Sequence, residues 1–160
     1  MGERKEISQA FQRRLVPQAA RPASPAPEAT EHTLEVAVVA TSALATIAAL
    51  RKAAALADRL RARITLVVPQ IVPYPLPLER PPVPIDFSER RVQEIAEESP
   101  VETTVQVYLC RDRMQTLKSV LRSRLLIVIG GPKRWWPTRE KTLARQLRRA
   151  GHEVVFIETE

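Results

Sequence analysis

The run Leu125-Leu126-Ile127-Val128-Ile129 ends in Gly130-Gly131, and it limits the folds open to this chain more than any other segment. A short, wholly apolar, β-branched stretch closed by glycines reads as a central parallel strand buried on both faces. Such a strand needs a layer of helix above and below it. Beyond it stands a basic loop, Lys133-Arg134, which also holds both tryptophans, Trp135 and Trp136, before a helix start at Thr138. In open α/β sheets, ligands bind in the crevice beyond the carboxyl ends of the strands. The stretch therefore marks where a ligand would sit without naming it.

With 160 residues, 44% of them hydrophobic, the chain suffices for one good core and not two. The single cysteine, Cys110, excludes an internal disulfide and a cysteine-based zinc site, and fits a reducing, cytoplasmic setting. The opening Met1-Gly-Glu-Arg-Lys-Glu has no apolar segment behind its charges, so no secretory signal is expected. Val36 to Leu50 falls short of the roughly 20 apolar residues of a membrane-spanning helix, and no membrane span is expected. The formal charge of +7 is unevenly placed: residues 1–33 are near neutral at +1, residues 34–110 carry −1, and residues 111–160 carry +7. A one-sided basic field attracts anions or acidic protein surfaces. Alternatively, the same arginines simply solvate the outer faces of the last two helices.

Residues 1–33 carry Pro17, Pro22, Pro25 and Pro27 among small and polar residues with no apolar period. They are expected to be a disordered tail, with at most a marginal helix over Glu3 to Leu15. The folded domain runs from 34 to 160. Leu34 to Ala40 reads as its first strand. Ser42 caps a helix to about Arg63 with Ala43, Ile47, Leu50, Ala54 and Ala57 inward, and Ile64 to Val68 is the second strand. Pro69 to Pro84 holds seven prolines in sixteen residues, which favours an extended excursion over a packed element. It reads equally as a proline-rich ligand segment or a lid across the crevice. Asp86 or Ser88 then caps a helix carrying Val92, Ile95 and Ala96, stopped at Ser99-Pro100. Val101 to Cys110 alternates as a strand with one exposed face. Asp112 caps a helix with Met114, Leu117 and Leu121 inward. After the opening strand, Thr138 starts a helix with Leu143, Leu147 and Ala150 inward, closed by Gly151, and Val154 to Ile157 is the last strand. Strands alternating with helices imply a parallel sheet between two helical layers, a three-layer α/β sandwich.

Five strands, four helices, an insertion after the second strand and the Leu-Ile-Val-Ile-Gly fourth strand together resemble the universal stress protein family over about Leu34 to Glu158. The resemblance implies strand order 3-2-1-4-5, a stress-response role, and a homodimer paired along the last strand, where Val155 and Ile157 lie. Many members of that family bind ATP through an Asp ending the first strand and a G-x2-G-x9-G-[S/T] loop after the fourth. This chain has Val39-Ala40 and then Thr41-Ser42 in place of Val-Asp. Lys133 stands at the second loop glycine, and Leu143-Ala144 at the final Gly-Ser. Arg134-Trp135-Trp136 is also similar to the corresponding loop in stress-protein-like cytoplasmic domains of some amino-acid permeases.

The candidate crevice comprises Thr41, Ser42, Gly130, Gly131, Lys133, Arg134 and Thr138. Glycines admit close backbone approach, Lys133 and Arg134 add positive charge, and the helix start at Thr138 favours anions. Trp135 and Trp136 are candidate partner-binding residues, able to stack on a base or guanidinium. Alternatively, one packs over the sheet edge and the other is half exposed. No triad or dyad and no metal site is expected. His152 is read as exposed and non-catalytic, Asp112 as a helix cap, and Cys110 as buried packing or a redox-sensitive thiol. The expected role is a non-catalytic regulatory or binding domain with no resident cofactor. Its alternatives are a binder of ATP or another nucleotide or phosphate ligand, and, disfavoured, a nucleic-acid-associated protein, since no helix pairs Arg with base-reading Asn or Gln.

Overall fold

The computed structural model of the chain describes residues 10–15, 34–121 and 125–160. In chain order the elements are β1 (Ala10–Leu15), β2 (Glu35–Val39), α1 (Ala43–Leu60), β3 (Arg63–Ile71), α2 (Ile85–Glu97), β4 (Thr103–Cys110), α3 (Arg113–Val120), β5 (Leu126–Pro132), α4 (Arg139–Arg149) and β6 (Glu153–Thr159). The sheet order is β1-β4-β3-β2-β5-β6. Its five strands from β2 to β6 are parallel. Numbered among themselves, they run 3-2-1-4-5, as the resemblance implies.

Alternation along β2 divides the core. Val36 and Val38 face a cluster with Leu50, Ala53 and Ala57 of α1 and Ala96 of α2. Ala37 and Val39 face the opposite cluster, with Leu117 of α3 and Leu143, Ala144 and Leu147 of α4. A strand covered on both faces, with successive side chains pointing to opposite faces, needs a continuous apolar run. β2 and β5 supply one each. Each fully buried Leu or Ile in these layers contributes about 1.5–3 kcal/mol of transfer free energy.

Local signals at several helix ends match the sequence. Ser42, Asp112 and Thr138 accept hydrogen bonds from the amides of Ala45, Gln115 and Lys141 respectively. Gly151, at φ +98°, follows α4. Its amide donates to Arg148 O, and the His152 amide donates to Leu147 O, the paired bonds of a Schellman ending.

Other expectations need correction. The buried face of α1 is Ala45, Thr46, Ala49, Leu50, Ala53, Ala54 and Ala57. Ala43 and Ile47 are only half-buried, because the small residues let the helix settle with a different stripe against the sheet. The α2 helix begins at Ile85 with no side-chain cap, so neither Asp86 nor Ser88 starts it. Ala150 is exposed at the end of α4 rather than inward.

The proline-rich excursion is more packed than its composition implies. β3 continues through Pro69 to Ile71, with Pro69 opposite Tyr108 of β4. β2 pairs only as far as Val67, so the flank of β3 facing it has no partner strand at Pro69, and the missing N–H costs no ladder bond there. Two turns follow, closed by Leu76 N to Pro73 O at 3.1 Å and Arg80 N to Pro77 O at 3.0 Å. Val72 and Leu78 are buried together with Leu109.

The largest departure is β1. It pairs antiparallel with β4, from Ala10 opposite Cys110 to Leu15 opposite Val105, within the stretch read as an unpacked tail or marginal helix. The outer edge of β4 presents a row of unpaired backbone groups, and backbone pairing there needs no apolar period in the incoming segment. The rest of the expected tail, residues 1–9 and 16–33, lies outside the described residues.

Candidate binding crevice

Thr41, Ser42, Gly130 and Gly131 converge at the carboxyl ends of β2 and β5, as the sequence reading requires. Their polar groups are turned on one another. The Thr41 hydroxyl donates to Gly130 O at 2.8 Å, and the Thr41 amide donates to Thr46 Oγ1 at 3.0 Å. Thr46 Oγ1 in turn donates to Ser42 O at 2.7 Å, while Ser42 Oγ caps Ala45. The orphan amides that would draw an anion to the start of α1 are thus partly met from within the chain.

The two glycines are also occupied. A Cβ on Gly130 would lie 2.2 Å from Ala45 O, and one on Gly131 would lie 2.8 Å from both Glu140 Cβ and Phe156 Cζ. Gly130 lets α1 press onto β5, and Gly131 lets α4 and β6 close around the strand end. The space that glycine vacates is filled by protein, not opened to a ligand. Leu143 and Ala144, which stand at the positions of the expected Gly-Ser, are buried core residues of α4.

The basic loop forms a separate, outward surface. Its base is fixed: Lys133 N donates to Thr159 O at 2.8 Å, and the Lys141 ammonium donates to Arg134 O while pairing with Glu158 at 3.1 Å. Trp135 is 92% exposed, so it does not pack over the sheet edge, and Trp136 is half exposed at 47%. The rings meet edge to face, 5.9 Å between centroids, and the Arg134 guanidinium lies 5.3 Å from the Trp136 ring centre. Lys141 and Glu158 hold this loop. No spacing signal separates them from other surface charges.

Thr138 is spent as the cap of α4. Val155 and Ile157 are half-buried against the α1-side core, on a strand whose one neighbouring strand among the described residues is β5. Cys110 is buried, and burial pushes its thiol pKa up, partly opposed by a hydrogen bond from Thr116 and the charge of Arg113. That disfavours a reactive thiolate. His152 is buried, not exposed. Its Nδ1 accepts from Leu125 N at 3.3 Å, and burial lowers its pKa. Among the described residues, no cluster of His, Cys, Asp or Glu is placed to hold a metal ion, and no helix is long and apolar enough to cross a membrane.

A second concavity has no local signal in the sequence. A cleft of about 600 Å³ lies between the start of α3 and the start of α4, lined by Ile71, Arg111, Arg113, Met114, Arg139 and Leu143 among others. The Arg111 guanidinium donates to Val72 O at 2.8 Å and stacks 4.2 Å from the Tyr74 ring centre, pinning the proline-rich excursion to one rim. Its cations are scattered through the sequence at 111, 113 and 139, so no local motif announces it.

No family model matches the chain, and neither does any curated protein. Among solved structures, the fold is similar to that of a universal stress protein in complex with cAMP. The two share 12% sequence identity at a TM-score of 0.50, over 79% of this chain and 98% of that chain. The chain has the universal stress protein fold.

Proposed function

We propose that this domain is a non-catalytic binding or regulatory module that recognises an acidic protein partner through the loop Lys133-Arg134-Trp135-Trp136. The observation that carries this reading is Trp135, 92% exposed on a loop whose base is tied to β6 and α4. Tryptophan and arginine dominate the energetically decisive positions of protein interfaces. A surface held in place before binding loses little entropy on docking. The positive charge of residues 111–160 favours an acidic partner and speeds its approach. Pairing of two copies along β6 is part of this reading, since its outer edge carries no strand among the described residues and such an edge invites one. The bond that Thr41 makes to Gly130 supports a reading without a resident cofactor at that crevice.

The test is capture of partners by the full chain against a Trp135→Ala/Trp136→Ala variant and a Lys133→Ala/Arg134→Ala variant. Loss of a partner with both variants, at unchanged thermal stability, is the expected result. An identical captured set would overturn the reading. A second reading, a nucleotide binder, draws on the cAMP held by the solved structure of the same fold. It requires the crevice residues to release the bonds they make to one another.

A further inference from the structure

We propose that the outer edge of β4 is a docking site for an extended partner segment, and that β1 is its displaceable occupant within the chain. This edge lies on the opposite side of the sheet from β6 and uses none of the Trp135 loop, so it goes beyond the function proposed above. β1 runs antiparallel on β4, from Ala10 opposite Cys110 to Leu15 opposite Val105. β4 is its one neighbouring strand among the described residues, and no helix packs on it to a comparable extent. Residues 16–34 join β1 to β2, which lies three strand spacings away, about 14 Å. A chain of that length reaches about 60 Å. The connection is long enough for β1 to leave β4 with the parallel sheet intact.

The chemistry of the partner follows from β4. Val105, Val107 and Leu109 alternate along one face and are buried, the first two in the core covered by α1 and α2, the third with Val72 and Leu78. Opposite these three the register sets Leu15, Arg13 and Phe11. Directly opposite residues of an antiparallel pair share a face and interact. β1 thus meets the apolar row with apolar residues at the outer positions and a cation in the middle. An apolar residue opposite Val107 would gain more there. Between them, Gln12 and Arg14 stand opposite Tyr108 and Gln106, whose side chains bond each other at 2.9 Å, so polar residues suit those positions. A sheet edge offers main-chain hydrogen bonds to any extended chain, and the side-chain row supplies the selectivity. The segment that fits best runs antiparallel to β4 with apolar residues at three alternate positions. It completes the match that β1 leaves unfinished, against a tethered competitor at an effective concentration on the order of millimolar.

The experiment uses the full chain carrying Ala10→Cys, since Ala10 stands opposite Cys110, the single cysteine. Directly opposite positions lie within reach of a disulfide. Diamide takes two electrons and two protons from the thiol pair, and the bond that forms locks β1 onto β4; dithiothreitol releases it. The probe is a fluorescein-labelled peptide copying residues 8–17 with Arg13→Val, followed by anisotropy and by the amide shifts of residues 103–110. The reduced chain is expected to bind it saturably, and the locked chain not at all. A peptide that keeps Arg13 should bind about tenfold more weakly, as for one buried apolar side chain. Gln12→Pro/Arg13→Pro loosens β1, because proline cannot donate to the ladder. It should bind the probe about tenfold more tightly, its edge being open more of the time. Equal binding by the reduced and locked forms, or none by the reduced form, would overturn the proposal. Disulfide-linked dimers as the main oxidation product would also overturn it, assigning the occupant to a second copy. Reduced and locked forms are the same folded chain, so their comparison stands even if the proline variant fails to fold. Trp135→Ala/Trp136→Ala should leave peptide binding unchanged, so the two readings fail separately.

Discussion

The carbonyl oxygen of Ala45 lies 2.2 Å from where a Cβ on Gly130 would stand, so the first turn of α1 rests directly on the backbone of β5. Gly130→Ala must therefore move backbone rather than a flexible side chain. We expect it to cost about 3 kcal/mol or more, at the upper end of overpacking in a core. The midpoint of urea unfolding measures this. A loss under about 1 kcal/mol would show that α1 sits less tightly on β5 than the geometry implies.

His152 gives the fold a pH dependence of definite sign. Burial lowers its pKa from 6.5, so below that value the unfolded chain takes up a proton that the native chain resists. Its contribution is fully present above about pH 6.5 and is lost as pH falls through the lowered native value. His152→Asn retains an acceptor for Leu125 N and does not titrate. The wild type should lose more thermal stability than this variant between neutral and mildly acidic pH. Parallel profiles would contradict the assignment.

Arg111 joins the end of β4 to the proline-rich excursion through Val72 O at 2.8 Å and the Tyr74 ring at 4.2 Å. Arg111→Ala should cost roughly 1–2 kcal/mol, the sum of a part-buried hydrogen bond and a cation–π contact. It should also open residues 73–84 to limited proteolysis. Unchanged cleavage would mean that Val72 and Leu78, buried with Leu109, suffice to hold the segment.

The parallel sheet was legible because its evidence is local: the apolar run at 125–129, the caps at Ser42, Asp112 and Thr138, and the terminating Gly151 each act within a few residues. What escaped depends on contacts distant in sequence. β1 exists through the edge of β4, 90 to 100 residues away, and nothing in Ala10–Leu15 announces that partner. His152 is buried because Leu125 N finds it across 27 residues. The candidate site shows the same division. Gly130-Gly131 correctly marked a close approach at the strand end, but the sequence does not tell whether ligand or protein makes it. Here Ala45, Glu140 and Phe156 do. The arginine cleft was missed because its cations are united only by the meeting of α3 and α4.

The chain's own groups fill the crevice at Thr41 and Gly130, and that filling is what separates this chain from a nucleotide binder. It is tested most directly by titrating the full chain with ATP and with cAMP while following the backbone amides of Thr41, Ser42, Gly130 and Gly131 by NMR. Those four signals should stay in place at millimolar nucleotide. A saturable shift of Thr41 and Gly130 together, with the Thr41 hydroxyl released from Gly130 O, would contradict it.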